Sequence, residues 1–252
     1  FGTNVFLELT GGRYVTVGRS VLSRLLFEKA REGTETIFGD DIVVVNDGSD
    51  DETETLKHRG ERRCDLVVGA VGLHSNVRRL VFGPEDRFEK QLGYVVAAFE
   101  ASGYRPRDEN AYVMYCEPGR MVGRVSLRDD KVLFLFVFAE GADVPMHDLP
   151  SQKHLLREKY GACQWECSHI LDALDAAPEL YFDRVSQIKM DRWSQGRVVL
   201  VGDAAYCVSL LAGQGSALAM TGAYVLAGEL ARSAGRHEDA FERYEKLLRN
   251  FI

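Results

Sequence analysis

The stretch from Gly196 to Leu230, GRVVLVGDAAYCVSLLAGQGSALAMTGAYVLAGEL, constrains this chain more than any other. Val198 to Val201 are consecutive branched apolar residues, the composition of a short parallel strand buried on both faces. Gly202 permits a sharp exit, and Asp203 falls at the carboxyl end of the strand, where ligands of open α/β sheets collect. An acidic side chain there accepts hydrogen bonds from sugar-alcohol hydroxyls. Gly213, Gln214 and Gly215 bring backbone amides close to a ligand with no Cβ in the way. Ser216 is the expected N-cap of a helix whose positive end faces a pyrophosphate or an anionic ring. That helix carries Ala217, Ala219, Gly222, Ala223, Ala227 and Gly228, small residues suited to close packing on a sheet. A strand-loop-helix connection without a ligand is the plain alternative. The assembly as a whole favours a nucleotide site.

Three blocks are expected, at residues 1–88, 89–185 and 186–252. In the first, a helix from about Ser20 to Arg31 places Leu22, Leu25, Leu26 and Ala30 on one face. The strand IVVVND follows, then an acidic stretch read as a solvated hairpin, then CDLVVGAVG, a buried parallel strand running into a tight turn. The middle block offers YVVAAFEAS, AYVMYCE, MVGRVSL and KVLFLFVFAE, closely spaced strands without intervening helices, which predicts an antiparallel sheet. A helix pair from about Ser151 to Ala177 covers part of it. The third block holds the Gly-Asp strand and two helices, and the two short apolar strands are expected in one α/β domain.

Charge narrows the partners. A net charge of −7 opposes both nucleic acid and an anionic membrane, since each needs a concentrated basic surface. No apolar run approaches the ~20 residues that span a bilayer. The segment FGTNVFLELTGG has neither the basic start nor the apolar core of a signal peptide. The cysteines Cys64, Cys116, Cys163, Cys167 and Cys207 are odd in number and scattered, which points to reduced thiols and a cytoplasmic setting. Cys163 and Cys167, at i and i+4, would share a helix face with His169 a conceivable third ligand two residues on, but the segment has helical apolar periodicity and lacks the usual CxxC spacing, so packing is the expectation there.

The motif GRVVLVGDAAY…GQGSALAM…GAYVLAGEL resembles the second flavin-binding motif of the class A FAD-dependent monooxygenases, the para-hydroxybenzoate hydroxylase-like family. Cys64 to Arg79, CDLVVGAVGLHSNVRR, resembles that family's DG fingerprint, with Gly69, Gly72, Ser75 and Arg78 in place. Arg19 in GRSVLSRLL is similar to the arginine-then-leucines helix whose arginine touches the cofactor in relatives. The order of these matches runs as in the family, and the nearest flavour, from QIKMDRW onward, is the tetracycline-destructase-like branch. The resemblance implies an FAD-binding Rossmann-like domain, incomplete at its N-terminus, with an antiparallel-sheet substrate domain. Residues 1–88 would be its first part, 89–185 the substrate sheet and 186–252 the return segment. It implies cofactor contacts at Arg19, Gly69, Gly72, Asp203, Gly213, Gln214 and Gly215, with Asp203 on the ribityl chain.

The chemistry so implied is hydroxylation of a small aromatic or polyketide-like substrate through a flavin C4a-hydroperoxide, with NADPH or NADH as reductant and no side-chain nucleophile. The protein would be a monomer or homodimer. The substrate is expected against the sheet, with Tyr94, Tyr112, Met114, Phe134, Phe136 and Leu210 as lining and Phe99 and Phe138 as further candidates. About half of the strand residues must face away, because strand side chains alternate.

Three departures stand out. Val71 occupies the fingerprint's Asp position, Leu210 stands where the family has proline, and Tyr206 replaces its frequent histidine. No GxGxxG in a strand-to-helix context occurs, although relatives begin with one, so the first βαβ unit is expected to be absent from this sequence. A flavin-dependent halogenase would carry more tryptophan than Trp165 and Trp193. A flavin-linked reductase and a non-catalytic flavoprotein remain as alternatives.

Overall fold

The computed structural model describes residues 18–47, 52–104, 112–127, 129–141 and 143–252. Two compact units emerge. One takes Phe38–Leu92 and Val185–Ile252; the other takes Gly93–Arg184 and the described residues before Phe38.

The second of these units is built on a sheet of β5 (Glu89–Ser102), β6 (Tyr112–Glu117), β7 (Arg120–Ser126), β8 (Lys131–Ala139) and β9 (Tyr181–Ile188). Its order is β6-β7-β8-β5-β9, and β5, β6, β7 and β8 pair antiparallel, as the missing crossovers required. The register runs from Tyr94↔Ala139 to Ser102↔Lys131 between β5 and β8, and from Arg120↔Phe138 to Ser126↔Val132 between β7 and β8. Directly paired residues share a face, so Phe99, Phe134 and Arg124 point one way and Tyr94 and Ala139 the other. The strand β9 escapes sequence reading because its buried positions recur in pairs rather than alternately.

One face of this sheet is core. Val95, Ala97, Phe99, Val122, Phe134, Phe136 and Phe138 are buried there. Helices α3 (Leu149–Tyr160) and α4 (Cys167–Ala176) supply Leu156, Tyr160, Ile170, Leu171 and Leu174 to the same cluster. Cys167, Ile170, Leu171 and Leu174 fall at helical spacing on one side of α4, which is why the helix lies flat. Asp148 caps α3 by accepting from the Ser151 amide at 3.0 Å. Tyr160 meets the Phe136 ring edge-on at 4.9 Å, and its hydroxyl donates to the backbone carbonyls of Met121 and Val137. Each such buried aromatic stabilises by about 1.5–3 kcal/mol over exposure. The helix α1 (Arg19–Ala30) forms where leucine spacing predicts it, yet Leu25 and Leu26 remain about half exposed, so that face is not core among the described residues.

In the other unit, β4 (Val67–Gly69) and β11 (Val198–Leu200) pair in parallel, Val198↔Val67 through Leu200↔Gly69. Both fall within one unit, as their apolar composition and glycine exits required. The two-residue strand β10 (Ser194–Gln195) adds antiparallel to β11. A meander of β1 (Ile42–Asp47), β2 (Glu52–Leu56) and β3 (Gly60–Cys64) precedes them, its second turn being the hairpin read in the acidic stretch. The short helix α2 (Asn76–Val81) follows β4 and is tied to the meander through Asn76, whose Nδ2 donates to Asp41 Oδ1 and the Ile42 carbonyl.

Helix α6 (Gly215–Arg232) and helix α7 (His237–Arg249) complete this unit. On α7, Ala240, Phe241, Tyr244 and Leu248 form its buried stripe. The Tyr244 hydroxyl donates to the Leu200 carbonyl at 3.0 Å, fastening α7 to β11. Trp193 packs on Tyr206 at 4.6 Å between ring centres, with the Arg249 guanidinium 4.6 Å from its ring.

Candidate cofactor-binding site

The parallel pair places two chain reversals side by side. After β4 the backbone turns through Gly72 at φ +86°, a left-handed value that favours glycine. After β11 it turns through Gly202 at φ +65°, where an added Cβ would also stand 3.0 Å from the Ala219 Cβ. The short helix α5 (Asp203–Tyr206) starts directly from that glycine. Strand termini of this kind are where open α/β sheets hold ligands.

Arg78 locks the two reversals together. Its side chain is fully buried, with Nη1 donating to the Ala204 carbonyl at 3.0 Å and Nη2 to the Leu73 carbonyl and Glu85 Oε2. Burial pulls its guanidinium below the usual arginine range, against the opposing pull of Glu85. Ser75 caps α2 by accepting from the Arg78 amide, which fixes where the arginine leaves the helix. The fingerprint's Ser75 and Arg78 were legible in the sequence. The carbonyl partner on the far motif was not, because a contact across 126 positions leaves no local signal.

Asp203 and the glycine loop converge. A Cβ built on Gly215 would lie 3.5 Å from Asp203 Oδ1 and 3.7 Å from Oδ2, so the carboxylate stands at the N-terminus of α6. The loop arrives through a 3₁₀ turn, Leu210–Ala212, closed by Gly213 at φ +65°. Ser209 holds the unusual φ of +101° for a side-chain-bearing residue, and its hydroxyl accepts from the Leu211 amide. The expected cap at Ser216 is corrected here: the N-cap lies two residues earlier, at Gln214, the helix begins at Gly215, and no side chain caps the amides. A glycine at the first position and a loop already closed by Gly213 let the helical turn start sooner. The result is a helix end with uncapped N–H groups, open space at Gly213 and a carboxylate alongside. The chemistry of that set, one carboxylate acceptor beside free backbone amide donors, is compatible with a ligand that carries both hydroxyl and anionic groups.

Other expected contacts sort differently. Gly69 is buried, and a Cβ there would meet Leu200 Cδ2 at 2.6 Å and Val77 at 3.0 Å, so packing alone accounts for this glycine. Val71 is 60% exposed, so the apolar residue at the fingerprint's acidic position lies on the surface of the turn. Arg19 opens α1, but its side chain lies outside the described residues. Tyr206, at the position where the family has histidine, is core: its hydroxyl lies 3.2 Å from that of Tyr244, and a Cβ on Gly222 would come within 1.8 Å of it. Leu210 is 40% exposed in the loop.

The sheet residues divide by face. Tyr94, Tyr112 and Met114 lie on the open face, each 40% exposed or more. The Tyr112 ring lies across Gly123, where a Cβ would meet its hydroxyl at 2.9 Å. Phe134 and Phe136 are corrected: they occupy the covered face at 0% and 1% exposure, packed against Phe99 and Tyr160. Their register with Phe99 and Ala97 puts them under the helices, so Leu133 and Leu135 take the open face instead. Phe99 and Phe138 are covered in the same way. Cys167 is buried beneath this sheet, and no metal-holding group of three His, Cys, Asp or Glu side chains occurs among the described residues.

A parallel strand pair whose carboxyl ends carry a glycine turn, an acidic residue and a bare helix N-terminus is the arrangement in which open α/β folds hold nucleotide ligands. Residues 2–250 match the family described as FAD binding domain. The chain belongs to the class A FAD-dependent monooxygenase family. It is 38% identical over 237 residues to an uncharacterized protein of Mycobacterium tuberculosis, covering 93% of this chain and 63% of that one. A flavin-dependent monooxygenase of Legionella longbeachae is 32% identical, over 85% of this chain and 56% of its own. Among solved structures, the tetracycline destructase Tet(51) superposes with a TM-score of 0.74 at 34% identity, covering 84% of this chain and 58% of that one. The chain therefore spans between half and two thirds of the length of these relatives. No helix among the described residues is long and apolar enough to cross a membrane.

Proposed function

We propose that the protein is a flavin-dependent monooxygenase that hydroxylates a small aromatic or polyketide-like molecule, using NADPH or NADH and dioxygen. The observation that carries this reading is the Asp203 carboxylate standing at the uncapped start of α6, beside the Gly213–Gly215 loop. FAD, when bound, supplies electron transfer from the nicotinamide to dioxygen and insertion of one oxygen atom into the substrate. The protein's part is position and electrostatics. Asp203 would accept from the ribityl hydroxyls, and the amides at Gly215 and beyond would face phosphate or the anionic edge of the ring. Arg78 acts behind them by holding the Ala204 carbonyl and thereby the start of α5.

The open face of the sheet suits a flat apolar substrate. Tyr94, Tyr112 and Met114 give aromatic and thioether surface, with Leu133 and Leu135 on the same face. The likeness to tetracycline destructases supports a polycyclic substrate over a monocyclic one. Flavin titration tests the cofactor part: Asp203→Ala should weaken FAD binding by about 1–3 kcal/mol, the worth of a hydrogen bond to a charged group. Equal affinity in the variant removes Asp203 from the site. Substrate-stimulated oxidation of NADPH, with oxygen recovered in the product, tests the reaction.

A further inference from the structure

Apart from the cofactor site, the α6–α7 helix pair carries a concavity of about 730 Å³. Four cations line it, Arg232, Arg236, Arg243 and Lys246, against the single carboxylate of Glu229. On a chain of net charge −7 this is a local reversal of sign. The floor is built rather than casual. The Glu229 side chain is 4% exposed and accepts from Arg232 Nη1 at 2.5 Å and Arg243 Nε at 2.8 Å. Arg243 Nη2 also bonds to the hydroxyl of Ser233, itself fully buried, and that hydroxyl donates to the Glu229 carbonyl. The hydrogen bond from Arg243 holds the Glu229 carboxyl below the usual range, so it stays ionised.

Glu229 thus orients two guanidinium groups but neutralises only one charge. Arg236 is paired with Asp239 at 2.7 Å, and Lys246 has no ion-pair partner among the described residues. Two positive charges remain uncompensated around a cavity wide enough for a diphosphate and a small organic body. Pre-oriented arginine forks match phosphate oxygens two at a time, while a lysine adds a point charge. The convergence of these groups on a concave wall favours a compact anion over an extended acidic surface.

We propose that this concavity is a binding site for a compact, multiply charged phosphate anion of the diphosphate class, distinct from the cofactor site. The test is calorimetric titration of the protein with inorganic pyrophosphate, with and without FAD. The expected result is one saturable site per chain, weakened by added salt and insensitive to FAD. Lys246→Glu and Arg236→Glu, which leave the Glu229–Arg243–Ser233 floor intact, should each weaken binding at least tenfold without lowering the melting temperature. Lys246→Gln should fall between them and the unaltered protein. Absence of saturable binding, affinity unchanged in these variants, or displacement of pyrophosphate by FAD would each overturn the assignment. So would saturable binding of polyglutamate that pyrophosphate fails to displace, which would mark an acidic-protein surface instead.

Discussion

Arg78 Nη1 donates to the Ala204 carbonyl at 3.0 Å, so one buried cation serves both the turn after β4 and the turn after β11. Replacing it strips partners from two carbonyls and leaves Glu85 without its buried guanidinium. Arg78→Met should therefore cost about 3 kcal/mol of stability, as breaking a buried charged network does. Urea unfolding at unchanged m-value measures this, and a loss under about 1 kcal/mol would mean the contact is dispensable.

Tyr206 and Gly222 form a ring-and-notch pair, since any Cβ at Gly222 would approach the tyrosine hydroxyl to 1.8 Å. Gly222→Ala should destabilise by about 1–3 kcal/mol, the range for overpacking a tight contact. In a Tyr206→Phe background the same alanine should cost distinctly less. A double-mutant cycle with no coupling between the two would refute the steric account.

The two faces of the five-stranded sheet should respond in opposite ways. Phe134→Ala opens a cavity under the helices and should cost about 3–5 kcal/mol. Met114→Ala, on the open face, should change stability by no more than about 0.5 kcal/mol. On the proposed reading, Met114→Ala instead raises KM for the substrate. Thermal melts and steady-state kinetics on the same preparations separate the two behaviours.

Burial pushes the Cys167 thiol up from 9.0 to about 12, because its thiolate would sit in the sheet–helix core. A raised pKa means the folded state holds the proton more tightly than the unfolded one. Its contribution is full below about 9 and is lost as pH climbs towards about 12. Stability should fall across that window, and less so in Cys167→Ala. Alkylation at pH 8 should label the exposed Cys116 while sparing Cys167 until the protein is unfolded. Equal labelling of the two in the native protein would contradict this.

Local chemistry alone determined a good deal. Consecutive branched residues before a glycine marked β4 and β11, and closely spaced strands without helices between them required an antiparallel sheet. The Gly202–Asp203 exit and the Gly213–Gly215 loop were legible because backbone reversal and close approach demand particular residues. Tertiary structure decided what depends on partners far along the chain. Phe134 and Tyr112 read alike in sequence, both aromatics in strands, yet α3 and α4 cover the first face only. Alternation told that half must turn away, and only packing told which half. Tyr206 reads only as a replacement for the family's frequent histidine until Gly222 and Trp193 are seen to enclose it. Gly69 reads as a cofactor-contacting fingerprint glycine until Leu200 and Val77 are found within reach of its missing Cβ. Pattern reports which residue types a backbone tolerates. Burial and pairing are set by side chains that meet only after the chain has folded, and no local signal carries them.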